Sequence, residues 1–395
     1  MVTREMAPPV PQTADTALPQ VELAGNANAI TIFLCGDVMT GRGIDQVLPH
    51  PGDPRLYEPY MTTALGYVQL AAKANGPIPI PVDFSYVWGD ALDVLARITP
   101  DVCLINLETA ITTSDTYWPG KGIHYRMHPA NIPCLTAARI GCCVLSNNHV
   151  LDWGYAGLVE TLDTLSKAQV QTAGAGYNLA AAEAPAVLDV AGKGRVLVWA
   201  FGAESSGIPR SWAATQDRPG VNLLPDFSDT TVREIADKIQ TRKQDKDIVV
   251  VSLHWGGNWG YSVPSEQRRF AQRLLDEAGV DIVHGHSSHH PKGIEVFRDK
   301  PILYGCGDVL NDYEGISGYE AFRNDLALMY FVTMAPYTRT LQHLTMMPMR
   351  LRRLRLNHAS TAEAQWLRDM LCREGRKFGT RAVLHEDQTL TLQWR

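Results

Sequence analysis

Six short apolar runs in this chain each break off at a side chain that binds metal ions well. AITIFLCGD (29–37) ends at Asp37, DVCLINLE (101–108) at Glu108, and GCCVLSNNH (141–149) at Asn148 and His149. DIVVVSLHWG (247–256) carries His254, VDIVHGHSSHH (280–290) carries His286 and His289, and PILYGCGDVLND (301–312) carries Asp308. Apolar runs of this length read as buried strands. Between them lie amphipathic helical patterns, YAGLVETLDTLSKAQ (155–169) and SEQRRFAQRLLDEAG (265–279), the second closing on a glycine as helices commonly do. This alternation predicts an α/β sheet layered by helices. Ligands of such sheets gather beyond the carboxyl ends of the parallel strands. A lone histidine at a strand end is usually structural; six strands with such ends point to a shared site.

The side chains mix carboxylate, amide and imidazole without a thiolate cluster, which suits Mn, Zn or Fe. Two carboxylates with three or four imidazoles are enough for two ions sharing a bridging carboxylate. A chain of 395 residues with 45% hydrophobic and 20% charged content has the composition of a soluble globular protein. Its net charge of −6 argues against a general nucleic-acid binder. The dense basic stretch MRLRRLRLNH (349–358) alternates as a strand does and reads as a solvated strand face.

Seven scattered cysteines with no C-x-x-C fit buried free thiols in a reducing compartment. Residues 1–28 are rich in Pro and Ala without a continuous apolar run, which predicts a disordered leader rather than a signal peptide. Nothing approaches the roughly 18 apolar residues of a membrane span, so a cytoplasmic location is expected. Residues 29–323 are expected to form the catalytic domain. Residues 324–395 read as antiparallel strands and one helix packed on it.

TAGAGYN (172–178) never completes G-x-G-x-x-G and reads as a tight turn, and no G-x-S-x-G elbow is present. The loop HWGGNWGYSVP (254–264) reads either as a packed turn or as an aromatic wall over substrate. Cys306 and Asp308 place a thiol and a carboxylate near the strand ends, Asp308 as a candidate base.

In order along the chain, GDVMTGR, INLETAI, SNNHVLDWG, LHWG, AGVDIVHGHSSHHPKGIEVF and PILYGCGDVLND resemble the CapA family, named for poly-γ-glutamate capsule synthesis. That family is itself similar to calcineurin-type metallophosphoesterases. The resemblance spans residues 30–312. It implies a metallophosphoesterase-like layered α/β sandwich, here with a small C-terminal α+β extension, and a centre of one or two divalent ions (Mn, Zn or Fe). Carried over by position, Asp37, Glu108, Asn148, His254 and His286 are expected metal ligands. His289 is expected as a further ligand or a group behind the ligands, His149 as the acid–base histidine, and Asp152 as the group that orients it. Trp255, Trp259, Arg42 and Cys306 are expected to contact substrate. Met39 stands where a metallophosphoesterase has a histidine, which weakens one metal position and leaves occupancy by a single ion open. The membrane anchor usual in CapA proteins is not evident.

Three chemistries suit this set: hydrolysis of an amide or phosphoester, synthesis or release of a poly-γ-glutamate polymer, and proton transfer at a peptide Cα. The last is the preferred expectation. It makes the chain a metal-dependent epimerase of a ribosomally made, lasso-type precursor peptide, as in some CapA-like proteins. The missing anchor, Met39 and the surplus of bases (His149, His289, Asp308) favour it. The expected partner is a peptide or polyglutamyl substrate. A non-catalytic binding module with a relict metal site is a further alternative.

Overall fold

The computed structural model describes residues 28–395; the leader expected over residues 1–28 lies outside them, apart from its last residue. Four parallel strands, β1 (Ile30–Val38), β2 (Val102–Leu107), β3 (Cys142–Val144) and β4 (Gln171–Ala173), open a first sheet. A second sheet holds β5 (Ala186–Val190), β6 (Gly194–Gly202), β7 (Ile248–His254), β8 (Ile282–His286), β9 (Ile294–Phe297) and β10 (Lys300–Leu303), in the order β9-β10-β8-β7-β6-β5. Its four inner strands run parallel, with antiparallel edges.

The sixth apolar run is not one strand. It leaves the second sheet after β10 and rejoins the first as β11 (Asp308–Leu310), parallel to β1. Gly307, at φ +77°, turns the chain between them. From Leu326 the chain continues the first sheet. β12 (Leu326–Ala335) lies antiparallel to β1, followed outward by β13 (Thr340–Leu351) and the hairpin β14 (Thr380–Leu384) and β15 (Leu390–Trp394). The basic stretch 349–358 ends β13, turns at Arg353 and Leu354 (both at positive φ), and returns as a short strand, Leu356–His358.

Period-two alternation sorts the side chains into layers. Ile30, Ile32 and Leu34 meet Val196, Val198, Ile248, Val250 and Ile282 between the sheets. Phe33, Cys103 and Ile105 face the helices Ala91–Ile98 (α1) and Gly154–Lys167 (α2). On the far side, Leu197, Trp199, Val249 and Val251 pack against Asp229–Gln240 (α3) and Ser265–Glu277 (α4). A fifth helix, Thr361–Gly375 (α5), adds Leu367, Met370 and Leu371 to the layer between the sheets. The result is a helix–sheet–sheet–helix sandwich, the layered α/β metallophosphoesterase-like fold. Each fully buried aliphatic side chain contributes about 1.5–3 kcal/mol. Among the described residues no helix is long and apolar enough to cross a membrane.

One irregularity aims the first candidate ligand. Simple alternation along β1 would turn Asp37 toward the helices, with Phe33 and Cys35. The register instead shifts between Leu34 and Asp37, and Val38 takes the helix-facing side. Asp37 is thereby directed between the sheets, the re-aiming that bulges commonly perform beside active sites. Here the segment that crosses between the sheets presses on β1: a Cβ on Gly36 would lie 1.8 Å from the Gly307 carbonyl oxygen. Asp37 N–H donates to that same oxygen at 3.0 Å. Gly36→Ala is therefore expected to lower stability by at least about 1–3 kcal/mol and to weaken metal binding. Urea titration with metal analysis of the purified protein checks both, and wild-type values in both would refute the close approach.

Candidate metal centre

The strand ends meet at one edge of the sandwich. Ile248, Val250, Ser252 and His254 share the inner face of β7, as Ile282, His284 and His286 share that of β8, so both strands send imidazoles into the space between the sheets. His284 Nε2 lies 2.8 Å from the Cys35 carbonyl of β1, joining the sheets beneath the site. Ser252 Oγ stands 3.1 Å from His284 Nδ1 and 2.8 Å from His286 Nε2, so it orients both rings.

Two groups of potential ligand atoms form here, and Asp37 belongs to both. Asp37, His254 and His286 make one; Asp37, His289 and Asp308 make the other, each within the reach of a single ion. His254 Nδ1 and His286 Nδ1 face each other at 2.8 Å, and His286 Nδ1 lies 3.8 Å from Asp37 Oδ1. Asn148 Oδ1 accepts from His254 Nε2 at 3.1 Å. Glu108 Oε1 lies 3.9 Å from both His254 Nε2 and His149 Nε2. The structure thus gathers the expected ligands Asp37, Glu108, Asn148, His254 and His286, and it draws His289 and Asp308 onto Asp37 as well. Met39 is buried and supplies no imidazole, yet Asp37 does not lack a second set of partners.

The electrostatics fit a cation. Asp37 Oδ2 is buried without a hydrogen-bond partner, a costly state for a carboxylate. Burial and the Asp308 carboxylate push Asp37 up to about 7. Burial and Asp37 likewise raise Glu108 well above the ordinary carboxylate range. Burial holds His254 and His286 well below the ordinary imidazole value, so both stay neutral with lone pairs to offer. A divalent ion bound among these residues would relieve the carboxylates and use the imidazoles.

His149 sits beside this group. Its ring stacks on Tyr125 at 4.0 Å, and its Nδ1 pairs with Asp152 Oδ2 at 2.7 Å. Burial lowers His149 to about 4, despite the opposing Asp152 carboxylate. Asp152 also accepts from the Tyr125 N–H at 2.7 Å, so it anchors both the ring and the residue stacked on it. Ser287, directly after His286, adopts φ +95°, a strained conformation for serine of the kind that concentrates at functional sites.

Of the residues expected to touch substrate, two lie away from the pocket over the centre and a third lines it with its charge already paired. Trp255 follows inward-facing His254, so alternation turns it to the opposite side. It is buried against Phe227 and donates to the Tyr304 carbonyl at 3.1 Å. Cys306 is fully buried between the sheets, with its thiol pushed well up by burial. Arg42 borders the pocket over the centre, but its guanidinium is taken up by Asp312 and Glu58, each at 2.9 Å. Trp259 does line that pocket.

Other members of the site had to be found in the fold. Asn106 donates to Asp37 and Glu108 at 2.8 and 2.9 Å. Its position two residues before Glu108 on a strand, hence on the same face, was the available signal. Lys121, from an irregular loop, binds Asp152 and the Asn148 carbonyl and lies 3.0 Å from His149 Nδ1. No spacing pointed to it.

The raised carboxylates and lowered histidines pull stability in opposite directions as the pH changes. Below about pH 6.5, the ordinary imidazole value, the unfolded chain binds more protons at His149, His254 and His286. The folded chain binds more at Asp37 and Glu108, so three groups against two leave acidification destabilising. Above that pH, folded Asp37, Glu108 and His289, all raised, must release protons that the unfolded chain has already lost. Metal-free protein is therefore expected to melt highest near pH 6.5 and progressively lower toward pH 8, with Mn²⁺ or Zn²⁺ restoring the alkaline side. Thermal melts with chelator and with added metal test this; a metal-free Tm that keeps rising to pH 8 contradicts it.

A family profile described as "Bacterial capsule synthesis protein PGA_cap" matches residues 31–313. The chain is 51% identical, over 93% of its length and 97% of the relative's, to a probable polyglutamine synthesis accessory protein of Mycobacterium tuberculosis. It is 26% identical, over 77% of its length and 68% of the relative's, to the PGA biosynthesis protein CapA of Bacillus subtilis. With the capsule biosynthesis protein CapA of Bacillus anthracis the identity is 27%, over 49% of this chain and 45% of that one.

Proposed function

The chain belongs to the bacterial capsule synthesis protein PGA_cap family, and on that premise we propose that it is a metal-dependent hydrolase of amide bonds in a polyglutamyl-type polymer, acting as an accessory to its synthesis or release. The observation that carries this reading is Asp37 shared between two ligand groups, the arrangement used where two ions act on one displacement. Asp37, His254 and His286, with Asn148 and Glu108 beside them, would hold one ion; Asp37, His289 and Asp308 would hold the other. Bound there, divalent metal supplies Lewis acidity and an acidified water.

The chain's own residues do the rest. His149 Nε2 faces the centre while Asp152 holds Nδ1, so Nε2 is the atom that takes a proton from the attacking water and passes it to the departing amine. Tyr125 and Lys121 restrict the ring and its aspartate to that orientation. Asn106 keeps Asp37 and Glu108 in place from behind.

The epimerase reading loses two of its supports. His289 and Asp308 stand with Asp37 as candidate ligands, so they are no longer surplus bases, and Met39 does not deprive Asp37 of a second set of partners. The names of the relatives also point to polymer synthesis rather than to peptide tailoring.

Metal-loaded protein incubated in D₂O with a γ-linked glutamyl or an α-linked glutaminyl oligomer distinguishes these chemistries by mass. Two fragments that together gain one water are expected; uptake of one deuteron without cleavage would overturn hydrolysis in favour of epimerisation. His149→Asn is expected to lower kcat by about 10²–10⁴-fold with metal content unchanged, read from turnover and metal analysis together.

A further inference from the structure

We propose that the pocket over the metal centre accepts an uncharged, carboxamide-bearing stretch of polymer and rejects a polyanionic one, with Trp259 and Tyr319 imposing the choice. This rests on the polyglutamyl reading above and decides between two members of that class. The pocket, of about 220 Å³, opens above Glu108, His149 and His289. One wall is the Trp259 indole, stacked on Tyr319 at 3.9 Å and 6° and 5.3 Å from the His289 ring. Tyr313, Ile123 and Ile316 continue the apolar lining, and Asn258 and Asn324 add carboxamides.

What this lining offers an anion decides the matter. Among the described residues that line the pocket, Arg42 is the one Arg or Lys. It is 3% exposed, and its charge is answered twice over by Glu58 and Asp312. Lys121, behind His149, is paired with Asp152. The centre's own carboxylates, Asp37, Glu108 and Asp308, offset three of the four charges that two divalent ions would bring.

A glutamate side chain laid against Trp259 and Tyr319 would lose water without gaining a counter-charge. It would also meet aromatic faces, whose quadrupole is negative. A glutamine side chain has nearly the same shape and no charge. Its N–H groups can point at the aromatic faces or at the carbonyl oxygens of Asn258 and Asn324. An aromatic wall with carboxamides therefore fits a glutaminyl polymer, whereas a glutamate polymer would call for free arginines or lysines.

Calorimetric binding to the metal-loaded full chain, using α-linked oligoglutamine and oligoglutamate of equal length at physiological ionic strength, tests the choice. Wild type is expected to bind the glutamine oligomer at least about tenfold more tightly. Trp259→Ala should shrink that ratio, and Trp259→Lys should shift it toward glutamate, with circular dichroism confirming that both variants fold. Equal or tighter binding of oligoglutamate by wild type, binding of neither oligomer, or a ratio unchanged in both variants overturns the proposal. Failure of the hydrolase reading shows separately, as discrimination in binding without cleavage of either oligomer.

Discussion

Asp37 ends the central strand of the first sheet with one oxygen bonded to Asn106 and the other buried without a partner. Asp308 and Glu108 crowd the same space, so each carboxylate makes ionisation of the others harder. A cluster of this kind is unfavourable by itself and becomes favourable only with a cation among its members. The arrangement around it follows from that need. Neutral imidazoles arrive from the second sheet, Asn106 holds two carboxylates apart, and the chain crosses from one sheet to the other at Gly307 to bring Asp308 alongside.

Much of the neighbouring structure serves to hold these groups rather than to meet substrate. Arg42 lies over the Tyr67 ring at 3.5 Å and the Tyr125 ring at 4.9 Å, between two carboxylates. Tyr125 bonds to the Tyr313 hydroxyl at 2.6 Å and stacks on His149. The buried ion cluster thus reaches, through the Tyr125 ring, the histidine proposed to move protons. Removing one partner of such a cluster leaves an unpaired buried charge, which typically costs about 3–5 kcal/mol. The pocket above has the opposite character, with aromatic walls and no free cation among its described residues. The charge-rich floor is the part of the site to which the proposal assigns chemistry on a backbone amide, and the neutral wall the part to which it assigns an uncharged side chain.

How far the site could be read from the chain varied with the local geometry. Glu108, His254 and His286 lie at the ends of regular strands, where apolar alternation already shows which face is inward. The errors came from taking neighbours in sequence as neighbours in space. Trp255 follows His254, yet a strand sends consecutive side chains to opposite faces, so the indole belongs to the outer core. Cys306 precedes Gly307 in the crossing segment and is sealed between the sheets. Lys121 comes from a loop with no periodicity, and only the folding of that loop against Asp152 gives it a place.

By itself, the sequence determined the strand–helix alternation and the collection of metal-binding side chains at strand ends. These follow from local periodicity and short-range spacing, which a chain carries wherever it folds. Only the tertiary structure decided that a register shift turns Asp37 between the sheets, and that the sixth run splits so that Asp308 and His289 share Asp37. It also decided that Arg42 is spent on internal carboxylates. Each of these depends on contacts between segments up to 271 residues apart, as Asp37 and Asp308 are; no local pattern encodes which distant backbone will arrive, or at what register.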